Sequence, residues 1–429
     1  MKINLSCNLL LALFLLLAAK VPLSFAEDGV LDEPLTLVQA MELAVVYHPL
    51  VAARESDYQA ALGDLSAARW SSFPTPSYSL QDRFNGESQS SLVVSQPLWT
   101  GGRLSGNIEL AESRRDMAVS GIVEVEQVLL EDTARAFIGL HRAKSKLAIA
   151  TDNVNEHQRL SDIINRRVNA TTSPEVDAML AQARLASARS QVLQNTSARE
   201  IARSELEQLI GRSVNQIVLS NSPGTPSLQS DAAGASLAEI ENAAIAFSPK
   251  LRTLQSEIAG LDASVKIASA SVYPQVSLGY ERRFGELLFA QEREQIFIDL
   301  EFQPGAGLSA RSAIAASKAR QQASLKTLSA SRRELRRKVQ IAWREYESAR
   351  SQLSPSQQLV TATSEVVSSY LRQYRVGRKS WLDVMNAQRE VVQAQYMLVD
   401  YEAMVLQAHY QLQILSGAIT ANTLLDSNG

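Results

Sequence analysis

The sequence is poor in the residues that interrupt or cross-link a chain. Its 429 residues include one cysteine, 13 prolines and 19 glycines. This scarcity favours a helical protein and excludes collagen-like, disulfide-rich and low-complexity chains. Beyond the first 26 residues, no apolar run reaches the roughly 18 residues of a transmembrane helix. The net charge of −3 shows no basic excess, so nucleic acid is not expected as a partner.

Signals for catalysis are also missing. The four histidines lack metal-ligand spacing, and neither G-x-S-x-G nor H-E-x-x-H occurs. Gly305-x-Gly307-x-x-Ala310 imitates a dinucleotide fingerprint, but no following parallel strand with a terminal acid completes a nucleotide-binding unit. The sequence therefore predicts a protein that is not an enzyme and has no cofactor and no metal.

The N-terminus predicts export. Lys2 is followed by the apolar stretch 9–19 and by Ser24-Phe25-Ala26, which resembles a signal-peptidase site. Residues 1–26 are therefore interpreted as a signal peptide. The single cysteine, Cys7, lies inside this segment, so the mature protein works outside the cytoplasm without disulfides.

The rest of the chain is internally duplicated. The capping boxes Thr36–Gln39 and Ser236–Glu239 lie about 200 residues apart, as expected of an internal repeat. Asp177 and Asp383 each begin a similar short segment, and their separation along the chain is nearly the same as that of the two capping boxes. We interpret residues 27–221 as a first repeat, 222–235 as a Ser/Gly/Pro-containing linker and 236–429 as a second repeat.

Two short segments in each repeat alternate apolar and polar residues. The pattern predicts strands at about 76–85 and 89–97 in the first repeat and at about 275–284 and 294–303 in the second. Each is about as long as the 9–11 residues that a tilted strand needs to cross a bilayer. A soluble hairpin packed on helices has the same periodicity, and it stays open as an alternative.

The polar face of these strands carries charge. In a membrane it would line a watery lumen, and its predicted lumen-facing residues are Glu281, Arg283, Asp299, Glu301 and Gln303. Four strands cannot close a barrel, and open edges are not tolerated in hydrocarbon. Three copies would supply twelve strands, an even number within the range of outer-membrane barrels.

Long helical patterns follow each strand pair. The pattern predicts one helix over residues 36–71, before the first strand pair. After that pair it predicts a helix over residues 105–168, which would be about 95 Å long at 1.5 Å per residue. Ser173 and Pro174 are expected to cap a returning helix that ends near Gly211. Pro355 falls inside the corresponding long helix of the second repeat and is expected to kink or split it.

The motifs along the chain resemble the TolC-like outer-membrane channels of efflux and type I secretion. They include the opening segments 37–49 and 237–249, the strand end 95–103 and the segment 382–388. The resemblance implies a mostly α fold with a small β part, in which a homotrimer forms a twelve-stranded barrel in the outer membrane and a long α-helical barrel in the periplasm. It also implies a Gram-negative host, a periplasmic adaptor protein and an inner-membrane ABC transporter or proton-driven pump as partners.

The same resemblance implies a periplasmic gate at Asp383 and Asn386. Three copies of Asp383 around one axis would form a negative ring that favours cations. Asn386 stands where the best-known relative has a second acid, so a weaker cation site is expected. The alternative is that Asp383 only caps Ser380.

The helix turns match the segments that family members present to their adaptor. The implied contact residues are Val376, Gly377, Arg378 and Lys379 in the second repeat and Val168, Asn169, Ala170 and Thr171 in the first. A purely turn-forming role is the alternative.

The function predicted from the resemblance is an exit duct for export. The strand-to-helix segment 303–307 resembles channels that secrete a large protein such as an adhesin. Multidrug efflux is the alternative cargo class, and a non-channel periplasmic coiled-coil protein is the alternative from another class.

Overall fold

The computed structural model describes residues 34–82, 88–219, 236–285, 292–305 and 309–426. The predicted signal peptide 1–26 and the linker 222–235 lie outside these residues. The described part is mostly helical with one four-stranded sheet, which confirms the predicted fold class. None of its helices has the length and hydropathy needed to span a membrane.

The two repeats contain the same series of elements. The first consists of α1 (Leu37–Tyr47), α2 (Pro49–Trp70), β1 (Thr75–Asp82), β2 (Ser88–Trp99), α3 (Arg103–Asn169) and α4 (Glu175–Ile210). The second consists of α5 (Leu237–Phe247), α6 (Pro249–Ala270), β3 (Gln275–Gly285), β4 (Glu294–Glu301), α7 (Ala310–Arg375), α8 (Trp381–Ser416) and α9 (Ala421–Asp426).

Each repeat begins with two helices rather than one. Thr36 and Ser236 form the capping boxes that start α1 and α5. The single helix predicted over 36–71 is wrong, because His48 is extended at ψ 128° before Pro49 and therefore separates α1 from α2. A residue that precedes proline is driven out of the α-helical conformation by the proline ring.

The four strands form one antiparallel sheet in chain order. Its central pair, β2 and β3, joins the two repeats, with Ser95 opposite Gly279. The outer strands β1 and β4 each pair with a neighbour of their own repeat. The strand β4 ends at Glu301, so Gln303 lies beyond it and donates a hydrogen bond to the Glu301 carboxylate at 2.7 Å.

The long helices α3 and α7 contain 67 and 66 residues, which corresponds to about 100 Å each. Splitting at Pro355, one of the two predicted outcomes, is wrong because α7 continues through it. Burial of Ala349 and Ser356 on either side shows that packing holds the helix together there. Such tertiary packing offsets the roughly 3 kcal/mol that an interior proline costs.

The returning helix α4 begins at Glu175, and Pro174 occupies its N-cap position without a side-chain hydrogen bond. The predicted cap at Ser173 is therefore wrong. Its hydroxyl is instead 3.1 Å from the Tyr374 hydroxyl at the end of α7. A contact with the other repeat has replaced the local cap.

The core is a series of clusters along the helices. One lies in the middle of the rods, around Phe137, Leu206 and Ile414. A second joins α5, α7 and α8 around Tyr346. A third joins the far ends of α3, α4, α7 and α8 around Trp381. The sheet and the helix tips therefore lie at opposite ends of one helical body.

Candidate functional site

The strand register separates polar from apolar residues. Glu281, Arg283, Asp299 and Glu301 occupy odd positions and share one face with serines of β1 and β2. The Arg283 guanidinium donates to Glu281 at 2.7 Å, and both side chains are largely shielded. Gln295 donates to the same carboxylate at 2.7 Å. Four of the five predicted lumen residues therefore lie together on one face.

The opposite face is mostly apolar and exposed, and an exposed Arg282–Glu294 ion pair lies at its end away from the helices. On β4, Ile296, Ile298 and Leu300 are 75%, 70% and 65% exposed, and Tyr78 and Leu80 of β1 are similarly open. Exposed apolar surface of this extent marks a contact with lipid or with another protein. The face is continuous across the sheet because the register keeps even-numbered residues on one side as far as Pro97, after which a shift in β2 places Trp99 opposite Val276.

A row of aromatic side chains lies at the end of the sheet nearest the helices. At least one aromatic flanks that end of every strand: Trp70 and Phe73 before β1, Trp99 at the end of β2, Tyr273 before β3 and Phe302 after β4. All five are about half exposed or more. This belt was not predicted from the sequence, although its signal is an aromatic residue within a few residues of each predicted strand end. Such belts lie at membrane–water interfaces.

At the other end of the molecule, the two helix turns use different residues for the same backbone conformation. Gly377 has φ +74°, and its N–H donates to the Tyr374 carbonyl at 3.0 Å. In the first repeat, Thr171 has φ +58°. Asn169, Ala170, Thr171, Val376, Gly377 and Arg378 are exposed, whereas Val168 and Lys379 are half-buried.

Asp383 forms the capping box of α8. Its carboxylate accepts hydrogen bonds from the Ser380 hydroxyl at 2.8 Å and from the Ser380 N–H at 3.1 Å. The Lys379 ammonium is 4.0 Å away and lies 4.3 Å from the centre of the Tyr370 ring. The Ser380 hydrogen bonds, helped by the Lys379 charge, lower the pKa of Asp383. Asp383 therefore stays ionised, and the half-buried Asn386 lies one turn further along α8.

A group that joins the two turns was not predicted from the sequence. Tyr374 stacks on Trp381 with ring centres 5.1 Å apart, and the Arg167 guanidinium lies 4.7 Å from the Tyr374 ring centre. Ser173 contacts the Tyr374 hydroxyl, as described above. We call Arg167, Ser173, Tyr374 and Trp381 the tip clamp. No local sequence signal reveals it, because its members come from both repeats.

Comparison with known proteins assigns the family. A sequence profile described as outer membrane efflux protein matches residues 41–212 and 241–418, which is most of the chain. The chain belongs to the outer membrane efflux protein family. Members of this family are channels rather than enzymes, in agreement with the prediction of no catalytic activity.

Curated members of the family match part of the chain. CzcC of Cupriavidus metallidurans, a cobalt-zinc-cadmium resistance protein, is 25% identical over 58% of this chain and 59% of its own length. CyaE of Bordetella pertussis is 25% identical over 59% of this chain and 56% of its own. The chain therefore spans less than two thirds of the length of either relative.

Solved structures of family members share the whole fold. CusC superposes with a TM-score of 0.77 and 18% identity, covering 89% of this chain and 91% of its own. The open-state MtrE outer membrane channel of Neisseria gonorrhoeae superposes with a TM-score of 0.74 and 17% identity. The match covers 89% of this chain and 88% of MtrE. These matches show that the sheet and the helical rods have the arrangement found in outer-membrane efflux channels.

Proposed function

We propose that the protein is the outer-membrane exit channel of a tripartite export system and works as a homotrimer. The observation that carries this proposal is the two-faced sheet, with exposed isoleucine and leucine on one face, charged residues on the other and an aromatic belt at its helical end. In hydrocarbon such a sheet needs a closed barrel, because open edges leave backbone groups unpaired. Three chains then supply the twelve strands.

The internal duplication supports a specific way of assembling these chains. Within one chain, α3 packs on α6 through small residues: a Cβ on Gly260 would lie 3.3 Å from Ser113. The corresponding faces of α7 and α2 are exposed, and both are rich in small residues: Ala316, Ala319, Ala323 and Ala330 on α7, and Ala53, Ala60, Gly63 and Ala67 on α2. We infer that α7 of one protomer packs on α2 of the next, as α3 packs on α6.

Strand pairing within the chain likewise suggests how strands pair between protomers. Within the chain, β2 of the first repeat pairs with β3 of the second. The corresponding strands at the sheet edges are β4 and β1. Pairing β4 of one protomer with β1 of the next in the same register places Glu301 opposite Ser79. The charged faces of all three sheets then point into one lumen, with Glu281, Arg283, Asp299 and Glu301 on its wall.

The helix tips form the proposed gate. Three copies of Asp383 around the axis would concentrate negative charge, and Asn386 would add an amide ring one turn away. The tip clamp holds the two turns of each protomer together through Tyr374 and Trp381. Opening then requires the two hairpins to separate at this clamp.

The outer surface of the tips is the proposed docking site for a periplasmic adaptor. Val176, Val376 and Leu382 are exposed apolar residues on the turns, and Arg378 is an exposed charge beside them. Lys379 is less available than Arg378, because Tyr370 and Asp383 already engage its ammonium group. An inner-membrane ABC transporter or proton-driven pump completes the proposed assembly.

The channel proposal is tested with the purified full-length protein. We expect a detergent-solubilised trimer that conducts ions in planar lipid bilayers. A monomeric, water-soluble rod without conductance would overturn the proposal in favour of a periplasmic coiled-coil structural protein.

For the cargo we propose a secreted protein such as an adhesin, on the resemblance of the 303–307 junction to secretion channels. The similarity to CzcC, a cobalt-zinc-cadmium resistance protein, supports metal-ion efflux as a second candidate. Deletion of the gene separates the cargo classes. Loss of a surface protein supports secretion, sensitivity to cobalt, zinc or cadmium supports metal efflux, and sensitivity to small drugs supports multidrug efflux.

A further inference from the structure

A basic cleft lies between three helices just above the tip clamp. It has a volume of about 330 Å³ and is open to solvent on one side. His157 of α3, Arg184 of α4 and Arg389 of α8 line it, together with polar side chains such as Asn153 and Gln393. The described residues that line the cleft include neither Asp nor Glu.

The cations of this cleft are not used by the fold. Neither Arg184 nor Arg389 forms an ion pair with any residue that the structure describes, whereas the nearby Arg159 is paired with Glu156. The Nε of Arg184 is buried without a hydrogen-bond partner in this part of the chain. An unpaired buried polar group costs about 1–3 kcal/mol, so an external acceptor would relieve that cost.

His157 also has an unpaired polar group at this cleft. His157 is only 7% exposed, and its Nδ1 has no partner among the described residues. Burial and the neighbouring Arg184 charge lower the pKa of His157, so its ring is neutral at neutral pH. A neutral imidazole can donate one hydrogen bond from a ring nitrogen.

The duplication shows that these residues are not required by the architecture. The second-repeat positions that correspond to His157 and Arg184 hold Thr363 and Glu390. The fold therefore forms the same helical packing without positive charge at these places. The combination of Arg184, Arg389 and His157 is particular to this one cleft.

We propose that the cleft binds a small inorganic oxyanion with two negative charges, of the phosphate or sulfate class. Arg184 of α4 and Arg389 of α8 supply charge-assisted hydrogen bonds, and His157 of α3 donates a third. The bound ion links α4 of the first hairpin to α8 of the second, about 12 Å above the first residue of α8. It therefore holds the two hairpins of one protomer together.

The test measures binding of inorganic phosphate and of sulfate to the purified full-length protein by isothermal titration calorimetry, in chloride buffer of matched ionic strength. We expect saturable binding and a rise in the thermal midpoint, because the ligand stabilises the folded state. Arg184→Gln and Arg389→Gln should each weaken binding at least tenfold. Arg184→Lys, which keeps the charge, should weaken it less.

The matched control is Arg189→Gln. Arg189 lies on the same helix as Arg184, is exposed and donates to Gln158 at 3.2 Å, so its loss changes the net charge equally without touching the cleft. Equal weakening by Arg189→Gln and Arg184→Gln would overturn the proposal, as would no binding above the chloride background. If Arg184→Gln does not fold, Arg389→Gln on the other wall gives the same test. These outcomes do not depend on whether the protein conducts.

Discussion

At the residue scale, each of the two tip turns contains one residue with a positive φ, but the residue types differ. A left-handed conformation suits glycine, and Gly377 adopts it with open space around its Cα. Thr171 adopts the same conformation with a β-branched side chain, which is unfavourable. The first turn is therefore strained where the second is relaxed.

We predict that Thr171→Gly stabilises the protein and that Gly377→Ala destabilises it. A non-glycine residue in the left-handed region costs about 1–2 kcal/mol, so we expect changes of about 1 kcal/mol in opposite directions. Chemical denaturation of the purified variants measures both. Changes of the same sign would show that side-chain contacts, rather than backbone conformation, decide stability at these turns.

The charge and the capping role of Asp383 can be separated by two variants. Asp383→Asn keeps a hydrogen-bond acceptor for Ser380 and removes the charge, so we expect Mg²⁺ to block the channel several-fold more weakly. Ser380→Ala removes the cap and keeps the carboxylate, so it should cost about 1 kcal/mol of stability and leave the block in place. Bilayer conductance with and without Mg²⁺ measures the effect. Equal block in the wild type and Asp383→Asn would restrict Asp383 to its capping role.

At the scale of elements, strand register decides which side chains share a surface. A shift of one residue would move Glu281 and Asp299 to the apolar face. Phe297 shows how closely the strands fit, since a Cβ on the paired Gly279 would overlap its ring. The edge strands β1 and β4 show the same alternation, so in the proposed trimer the polar and apolar faces would continue into the neighbouring protomers.

The sequence has a single cysteine, Cys7, which lies in the predicted signal peptide, so introduced cysteines can test edge pairing. We predict that Ser79→Cys combined with Glu301→Cys forms an intermolecular disulfide under mild oxidation and gives covalent trimers on non-reducing gels. The control is Leu80→Cys with Glu301→Cys, whose side chains point to opposite faces. Cross-linking of the control as efficient as that of the test pair would contradict the proposed register.

At the scale of the whole molecule, buried polar groups between the rods make stability depend on pH. His409 of α8 lies beside Tyr346 and Tyr410, and its Nε2 has no partner among the described residues. Burial lowers the pKa of His409 to about 4. Because the folded state resists protonation, the contribution of His409 is complete above its unfolded pKa of about 6.5 and is lost as the pH falls from there towards about 4.

We predict that the wild type loses about 2 kcal/mol from this group between pH 7.5 and pH 5, at 1.36 kcal/mol per pH unit below 6.5. His409→Gln should show a correspondingly flatter dependence of unfolding free energy on pH. Urea denaturation at the two pH values measures both proteins. Identical pH dependence would mean that His409 does not titrate differently in the folded and unfolded states.

Features that depend on neighbours in the chain can be predicted from the amino-acid sequence. The capping boxes at Thr36, Ser236 and Ser380, the strand alternation and the helical periods all arise from contacts within a few residues, so their patterns are visible in one dimension. The break at His48 follows from the ring of Pro49, whereas Ser354 before Pro355 stays helical within a packed rod, so proline alone does not determine where a helix ends. The family resemblance then supplied the architecture as a whole.

Contacts between the two repeats become visible only in the folded chain. The tip clamp joins Ser173 to Tyr374, the basic cleft joins Arg184 to Arg389, and the sheet pairs Ser95 with Gly279. Each of these contacts spans well over a hundred residues of sequence. They form because the hydrophobic clusters bring α3 and α8 together, and that packing energy has no local pattern that a sequence could display.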